Sequence, residues 1–228
     1  MAWFCSGRSN TELVQRLRSA NVITSERVKE VMLRVDRANY APNSAYEDSP
    51  QYLGYEQTIS APHMHAHALE LLKDKLVPGA TAMDVGCGSG YLTVAMGRMV
   101  EPKGRVVGID IVKPLVALAR KNIAKADGDL LEKGVVTLEC QTGWEGDKDK
   151  GPYDAIHVGA AAASIPRSLV EQLKVGGIMI LPVGPEGGNQ ALIRVEKIKD
   201  HGPIEETYVA QELLGVRYVP LVRQSPYT

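Results

Sequence analysis

Residues 81–90 read Thr81-Ala82-Met83-Asp84-Val85-Gly86-Cys87-Gly88-Ser89-Gly90, a short apolar run that reaches an acid and then breaks into three glycines spaced two apart. The apolar run predicts a buried strand, and Tyr91 opens a helix that carries Leu92, Val94, Ala95, Met96 and Met99. Glycines in such a turn let the chain bend tightly and let a ligand approach the backbone closely. The first N–H groups of the helix have no partner within it, so they can hold a carboxylate or a phosphate. A glycine triplet alone also fits an ordinary strand-to-helix turn, so its surroundings decide its meaning.

Downstream, the pattern repeats. Arg105-Val106-Val107-Gly108-Ile109-Asp110 is a second short apolar strand ending in an acid, and Pro114 stands in the first turn of a helix with Leu115, Val116, Leu118, Ala119 and Ile123. Asp110 follows Gly90 by 20 residues, the place of a ribose-binding acid in a βαβ nucleotide unit; capping of the next helix is the plainer role for it. Residues 127–134 read as a connection. Val135–Cys140 forms a third strand, Tyr153–Val158 a fourth before the small patch Gly159–Ala163, and Ile178–Val183 a fifth after a helix over Ile165–Leu173 and a turn at Gly176-Gly177. Gly184-Pro185-Glu186-Gly187-Gly188 predicts a hairpin into Gln190–Lys199, with further apolar stretches over Glu205–Leu213 and Val216–Leu221. The expected fold class is therefore α/β and Rossmann-like: a mostly parallel central sheet flanked by helices, with antiparallel strands at its C-terminal end.

Ahead of this unit lie two predicted helices. Leu13, Val14 and Leu17 mark the first; Val28, Val31, Met32 and Val35 mark the second, capped by Thr24 or Ser25. Trp3 and Phe4 are expected to anchor the leading segment. Residues 39–59 hold Pro42 and Pro50 and the tyrosines Tyr40, Tyr46, Tyr52 and Tyr55; an ordered functional loop is favoured there over short strands. Pro62 then opens a helix with Leu69, Leu71, Leu72 and Leu76 on its buried stripe. His63 and His67 face one another on it at i,i+4, but two histidines without a third ligand make only half of a metal site, so no metal is expected. A pocket hydrogen bond from one histidine is the expected use.

The 228 residues form one domain by this reading: helices and an active-site loop over 1–80, a cofactor-binding core over 81–183 and closing strands over 184–228. Lys and Arg number 26 against 27 Asp and Glu, a balance without a nucleic-acid footprint. No run is long enough to span a membrane. The three scattered cysteines, Cys5, Cys87 and Cys140, read as reduced thiols, and the cytosol is the expected compartment.

A nicotinamide dehydrogenase and an S-adenosylmethionine methyltransferase share the glycine turn and the second-strand acid. A pyrophosphate turn runs GxGxxG, whereas here the bulky Tyr91 follows the third glycine. S-adenosylmethionine has no phosphate, and Asp84 with the turn N–H groups suits its amino-acid end, so the residues favour a methyltransferase. The segments YEQTISAPHMHAHA (55–68), AMDVGCGSG (82–90), GID (108–110), PYDAIHVGAAA (152–162) and GGIMILPVGPEGGNQ (176–190) resemble the protein-L-isoaspartate (D-aspartate) O-methyltransferases. So do the opening MAW, EVMLRVDRANYA (30–41) and Asp48-Ser49-Pro50-Gln51, and the likeness runs to about Leu221.

That resemblance implies methyl transfer from S-adenosyl-L-methionine, leaving S-adenosyl-L-homocysteine, to the α-carboxylate of isoaspartyl residues and more weakly to D-aspartyl side chains in damaged proteins and peptides. It also implies succinimide-based repair and a cytosolic monomer. By position, Ser60 resembles the family's active-site serine; Thr58, Ile59 and His65 resemble its neighbours at the cofactor. Asp84, Gly86, Ser89 and Gly90 match the glycine motif, and Asp110 matches the ribose acid. Thr142 and Gly143 stand where the family has an Asp-Gly pair beside the adenine, and Trp144 follows as an apolar contact. Val222 replaces a family threonine.

Overall fold

The computed structural model describes residues 5–225 and residue 227. The expected anchoring by Trp3 and Phe4, and the opening MAW, lie outside these. Helix α1 (Asn10–Ser19) begins where Ser9 accepts the Glu12 N–H, and it buries Leu13, Val14 and Leu17. Helix α2 (Glu26–Arg34) is capped by Ser25, whose hydroxyl accepts the Val28 N–H; Thr24 is used elsewhere, bonding to Glu70. Both helices pack their apolar stripes into the main core.

The tyrosine-rich segment corrects the sequence reading. It is ordered, and it contains a hairpin: β1 (Gln51–Gly54) pairs antiparallel with β2 (Gln57–Ile59). The turn carries Tyr55 at φ 54° and Glu56 at φ 56°. Two successive positive φ values define the tight turn that normally selects Asn-Gly, so a Tyr-Glu pair gave no hairpin signal. Tyr40 is buried, with its hydroxyl 2.6 Å from Asp127 Oδ2, whereas Tyr52 and Tyr55 stand at the surface.

Helix α3 (Pro62–Leu72) follows, and β3 (Thr81–Val85) enters the main sheet. Helix α4 (Tyr91–Val100) leads to β4 (Arg105–Asp110), and α5 (Lys113–Ala126) starts with its proline in the first turn. The expected connection after it contains a short helix, α6 (Gly128–Glu132), which packs Leu130 into the core. Strands β5 (Val136–Cys140) and β6 (Tyr153–Val158) come next, then α7 (Arg167–Gln172) and β7 (Leu173–Val183). Gly176 and Gly177 lie inside β7, not before it: the register jumps from Tyr153–Leu173 to Ala155–Ile178, a bulge that Gly176 accommodates at φ 80°. Finally β8 (Gln190–Lys197) and β9 (Tyr208–Val216) close the edge.

The sheet order is β5-β4-β3-β6-β7-β8-β9, with parallel pairing from β5 to β7 and antiparallel pairing for β8 and β9. Alternate strand residues feed two cores. Ala82 and Val106 join α3, α4 and α5 on one face, and Met83, Val85, Val107 and Ile109 join α7 on the other. Every residue of α4 is buried, because the N-terminal helices cover its outer side. The order reverses at β3, whose neighbours β4 and β6 lead away in opposite directions; ligands of open α/β sheets bind at such a switch point.

Candidate active site

At the carboxyl end of β3 the chain turns through Gly86 at φ 77°, Gly88 at φ 50° and Gly90 at φ 87°. The Gly88 N–H donates to Asp110 Oδ2 over 3.0 Å, and the Val112 N–H donates to Asp110 Oδ1 over 2.9 Å. Burial pushes the Asp110 carboxyl above the usual carboxylate range, and these N–H groups pull it back down. Asp110 thus joins the turn to the start of α5 and lines a narrow cavity of about 50 Å³. Gly86, Gly88, Ile109, Val112, Leu115 and Gly143 line it too.

A second cavity, of about 910 Å³, opens on the other side of the hairpin. Ser60, Ala61, His63, Met64, His67 and Tyr218 lie on its walls. Thr58, Gly159, Val219 and Pro220 line both cavities, so a thin partition separates them. The partition is part backbone: the Ala161 N–H donates to Val219 O and the Leu221 N–H to Ala161 O, each over 2.8 Å. A C-terminal strap is thereby laced across the end of β6. Gln190 ties it from beneath, its Oε1 accepting the Tyr218 N–H over 2.7 Å.

The expected site residues divide by what they touch. Thr58, Ser60, Gly86, Asp110 and Gly143 line one or both cavities. Ile59 does not; strand alternation sends it into the core, 4% exposed, between outward-facing Thr58 and Ser60. Asp84 is 1% exposed beneath the turn, with Oδ2 accepting from Thr93 Oγ1 at 2.5 Å and Oδ1 2.8 Å from His157 Nδ1. Both of its oxygens are thus engaged by protein partners beneath the turn. Ser89 is buried, and its carbonyl accepts from Asn122. Gly90 serves packing: a Cβ there would meet Ala119 at 3.2 Å, so its glycine brings α4 and α5 together.

His65 also sits behind the cavities. Its Nδ1 is 3.1 Å from Arg37 NH1, and burial holds its pKa well below the ordinary histidine value, with the Arg37 charge adding to the effect. Arg37 in turn donates to the Ser60 carbonyl over 2.8 Å and lies over the Tyr91 ring. Burial lowers the Arg37 guanidinium to about 10, which leaves it charged at neutral pH. Tyr91, bulky where a pyrophosphate turn would want a small residue, is thus one wall of the support for Ser60.

In the turn after β5, Thr142 bonds to the backbone of Trp144 and Glu145 beside Gly143. Gly143 is the group at the cavity, and a Cβ there would fall 2.4 Å from Val85 Cγ1. Trp144 does not line the cavity; its indole N–H donates to Leu221 O over 2.8 Å and Arg223 stacks on its ring. Sequence reasoning missed Arg37, Tyr218 and the strap, all brought in by tertiary contacts without a local signature, whereas Gly159 opens the small patch that the sequence singles out. Among the described residues, no group of three or more His, Cys, Asp and Glu is placed to hold a metal ion. Cys5, Cys87 and Cys140 are free thiols.

A family model described as protein-L-isoaspartate(D-aspartate) O-methyltransferase matches residues 8–226. The chain belongs to that family. A Caenorhabditis elegans protein-L-isoaspartate O-methyltransferase is 48% identical over 221 residues, covering 97% of this chain and 96% of the relative. A Triticum aestivum protein-L-isoaspartate O-methyltransferase is 47% identical, covering 95% and 92%. Among solved structures, a Plasmodium falciparum chain described as a protein-L-isoaspartate O-methyltransferase, in complex with S-adenosyl-L-homocysteine, superposes with a TM-score of 0.87. It is 33% identical, and the match covers 96% of this chain and all of that one. The class I methyltransferase fold expected for an isoaspartate O-methyltransferase is the fold observed.

Proposed function

We propose that this protein transfers the methyl group of S-adenosylmethionine to the free α-carboxylate of isoaspartyl residues, and more weakly to D-aspartyl side chains, in peptides and damaged proteins. The supporting observation is the pair of cavities that share Thr58, Gly159, Val219 and Pro220 as a wall. One side presents a buried carboxylate and a glycine turn; the other is a broad, mainly apolar cleft with Ser60 on its wall.

The narrow side fits the cofactor in kind. Asp110 is an anionic acceptor for a ribose diol, Gly86 and Gly88 leave backbone within reach, and Ile109, Val112, Leu115 and Val222 offer apolar surface to a base. Thr58, Gly159, Val219 and Pro220 join this narrow side to the broader cavity. When bound, S-adenosylmethionine supplies an electrophilic methyl carbon on a sulfonium.

The protein's own task is then positional. A carboxylate with an ordinary pKa near 4 is ionised at neutral pH, so no residue needs to remove a proton. Ser60 holds the carboxylate by a hydrogen bond, and Arg37 fixes the Ser60 backbone from behind. Among the described residues no Asp, Glu or His is hydrogen-bonded to the Ser60 hydroxyl, so it acts as a positioner and not a covalent nucleophile. The partition and the strap keep water from the reacting atoms, where alignment and desolvation lower the barrier. The ester formed would cyclise to a succinimide in solution, and hydrolysis would return part of it as normal aspartate.

Labelled S-adenosylmethionine and an isoaspartyl peptide test this reading together with Ser60→Ala. The wild type is expected to deposit base-labile label on the peptide, while Ser60→Ala lowers kcat tenfold or more, on the order of one lost charge-assisted hydrogen bond, and leaves cofactor affinity nearly unchanged. No label on the peptide would overturn the function; an unchanged kcat in the variant would remove Ser60 from it.

A further inference from the structure

The i,i+4 histidines of α3 are left unused by the reaction as described, yet both line the peptide cleft. His63 is the better held. Its Nδ1 lies 2.8 Å from Asp48 Oδ1, and its backbone N–H donates to the same oxygen over 2.9 Å. Ala61, the residue at the start of α3, has no side chain able to cap it, so Asp48 reaches across 15 residues to serve the first turn. The Asp48 side chain is 1% exposed, whereas the His63 side chain is 24% exposed. The His63 ring is thus partly open, and with Nδ1 taken by Asp48 its other nitrogen is Nε2.

In a neutral imidazole whose Nδ1–H donates to a carboxylate, Nε2 is a lone-pair acceptor. That acceptor stands on the same wall as Ser60, with only Ala61 and Pro62 between them in the chain. A second donor on the carboxylate that Ser60 already holds would reduce its nucleophilicity further; an acceptor has no such cost, and it needs a substrate N–H. In an isoaspartyl residue, the backbone N–H and the free carboxylate sit on one carbon, Cα. In a normal aspartyl residue the free carboxylate is one methylene further away.

Resting on the function proposed above, we propose that His63, oriented by Asp48, is a specificity-determining residue that accepts a hydrogen bond from the isoaspartyl residue's own N–H. Ser60 and His63 then gauge the spacing between carboxylate and N–H, which separates isoaspartate from aspartate. Asp48 is the positioning residue of the pair.

Two isosteric variants separate this from a purely structural role. In His63→Asn the side-chain amide nitrogen can occupy the Nδ1 place, which keeps the Asp48 bond and removes Nε2; His63→Gln places an acceptor near Nε2 and gives up Asp48. The test measures KM for an isoaspartyl peptide, and for the same peptide N-methylated at the isoaspartyl residue, alongside cofactor Kd. His63→Asn is expected to raise peptide KM about tenfold, the scale of one hydrogen bond, with cofactor Kd unchanged and a smaller rise for His63→Gln. N-methylation should raise KM for the wild type and add nothing in His63→Asn. An unchanged KM in His63→Asn, or additive effects of variant and N-methylation, would overturn the assignment while leaving the function intact. Failure of the wild type to methylate the unmodified peptide would overturn both.

Discussion

At the scale of single residues, Asp110 bears the most weight. Its two oxygens accept the Gly88 and Val112 N–H groups while its remaining acceptor capacity faces the narrow cavity. Asp110→Ala is expected to weaken S-adenosylhomocysteine binding by about 1.5–3 kcal/mol, roughly tenfold to a hundredfold, as a charged hydrogen-bond partner is lost. Calorimetry giving equal affinity would remove the residue from the site. The pH dependence follows from the sign of its shift. Burial raises the Asp110 pKa, so protonation sets in at a higher pH than for an ordinary aspartate near 3.9. Binding should be full above the raised value and decline as pH falls through it, a decline that Asp110→Ala abolishes. Asp110 could be found from its spacing to the glycine turn. Arg37 could not, since nothing local tells a helix-flanking arginine from one that is 1% exposed behind Ser60. The Ile59 side chain leaves the cavities for a related reason: the motif names consecutive residues, but a strand turns every second one inward.

At the scale of elements, the glycine turn and its two strands were legible because apolar runs, acids and glycines follow a short period. The hairpin over 51–59 was not, because its turn places Tyr and Glu in left-handed backbone. The strap was illegible for another reason: Val219–Leu221 gains its place by bonding to Ala161, 58 residues before Val219, and to Trp144, 77 residues before Leu221. Glu70 is a second long-range tie. It accepts the Thr24 and Ser25 N–H groups and the Thr24 hydroxyl, and so fastens the start of α2 to α3. Its burial alone would raise its carboxyl, but the bonds from Ser25, Thr24 and Lys73 outweigh this and bring it down to about 2. A depressed carboxylate stabilises the fold above its ordinary value and loses that contribution as pH falls toward the depressed one. Glu70→Gln should cost about 1–2 kcal/mol at pH 7, discounting the shift for solvent screening. The deficit should shrink between pH 4.5, the ordinary value, and about 2. Chemical denaturation at both ends of that window measures it; a deficit independent of pH would assign the effect to shape and not to charge.

At the scale of the whole molecule, the sheet brings the ends of β3, β4 and β6 to one edge, and the hairpin, α3 and the strap are laid over that edge. The parallel half of the sheet was readable from alternating strand and helix signals, and the antiparallel half from the Gly-Pro-rich turn before β8. What the linear order hid is that Thr58, Gly159, Val219 and Pro220 meet in one wall. The central claim is that methyl transfer takes place where the two cavities meet at this wall, to a carboxylate attached directly to Cα. Its most direct test is a comparison of kcat/KM for two peptides of one sequence, differing only in whether a single residue is isoaspartyl or aspartyl. Transfer of base-labile methyl to the isoaspartyl peptide, with little or none to the aspartyl peptide, is the expected result. Equal rates on the two peptides would contradict the account.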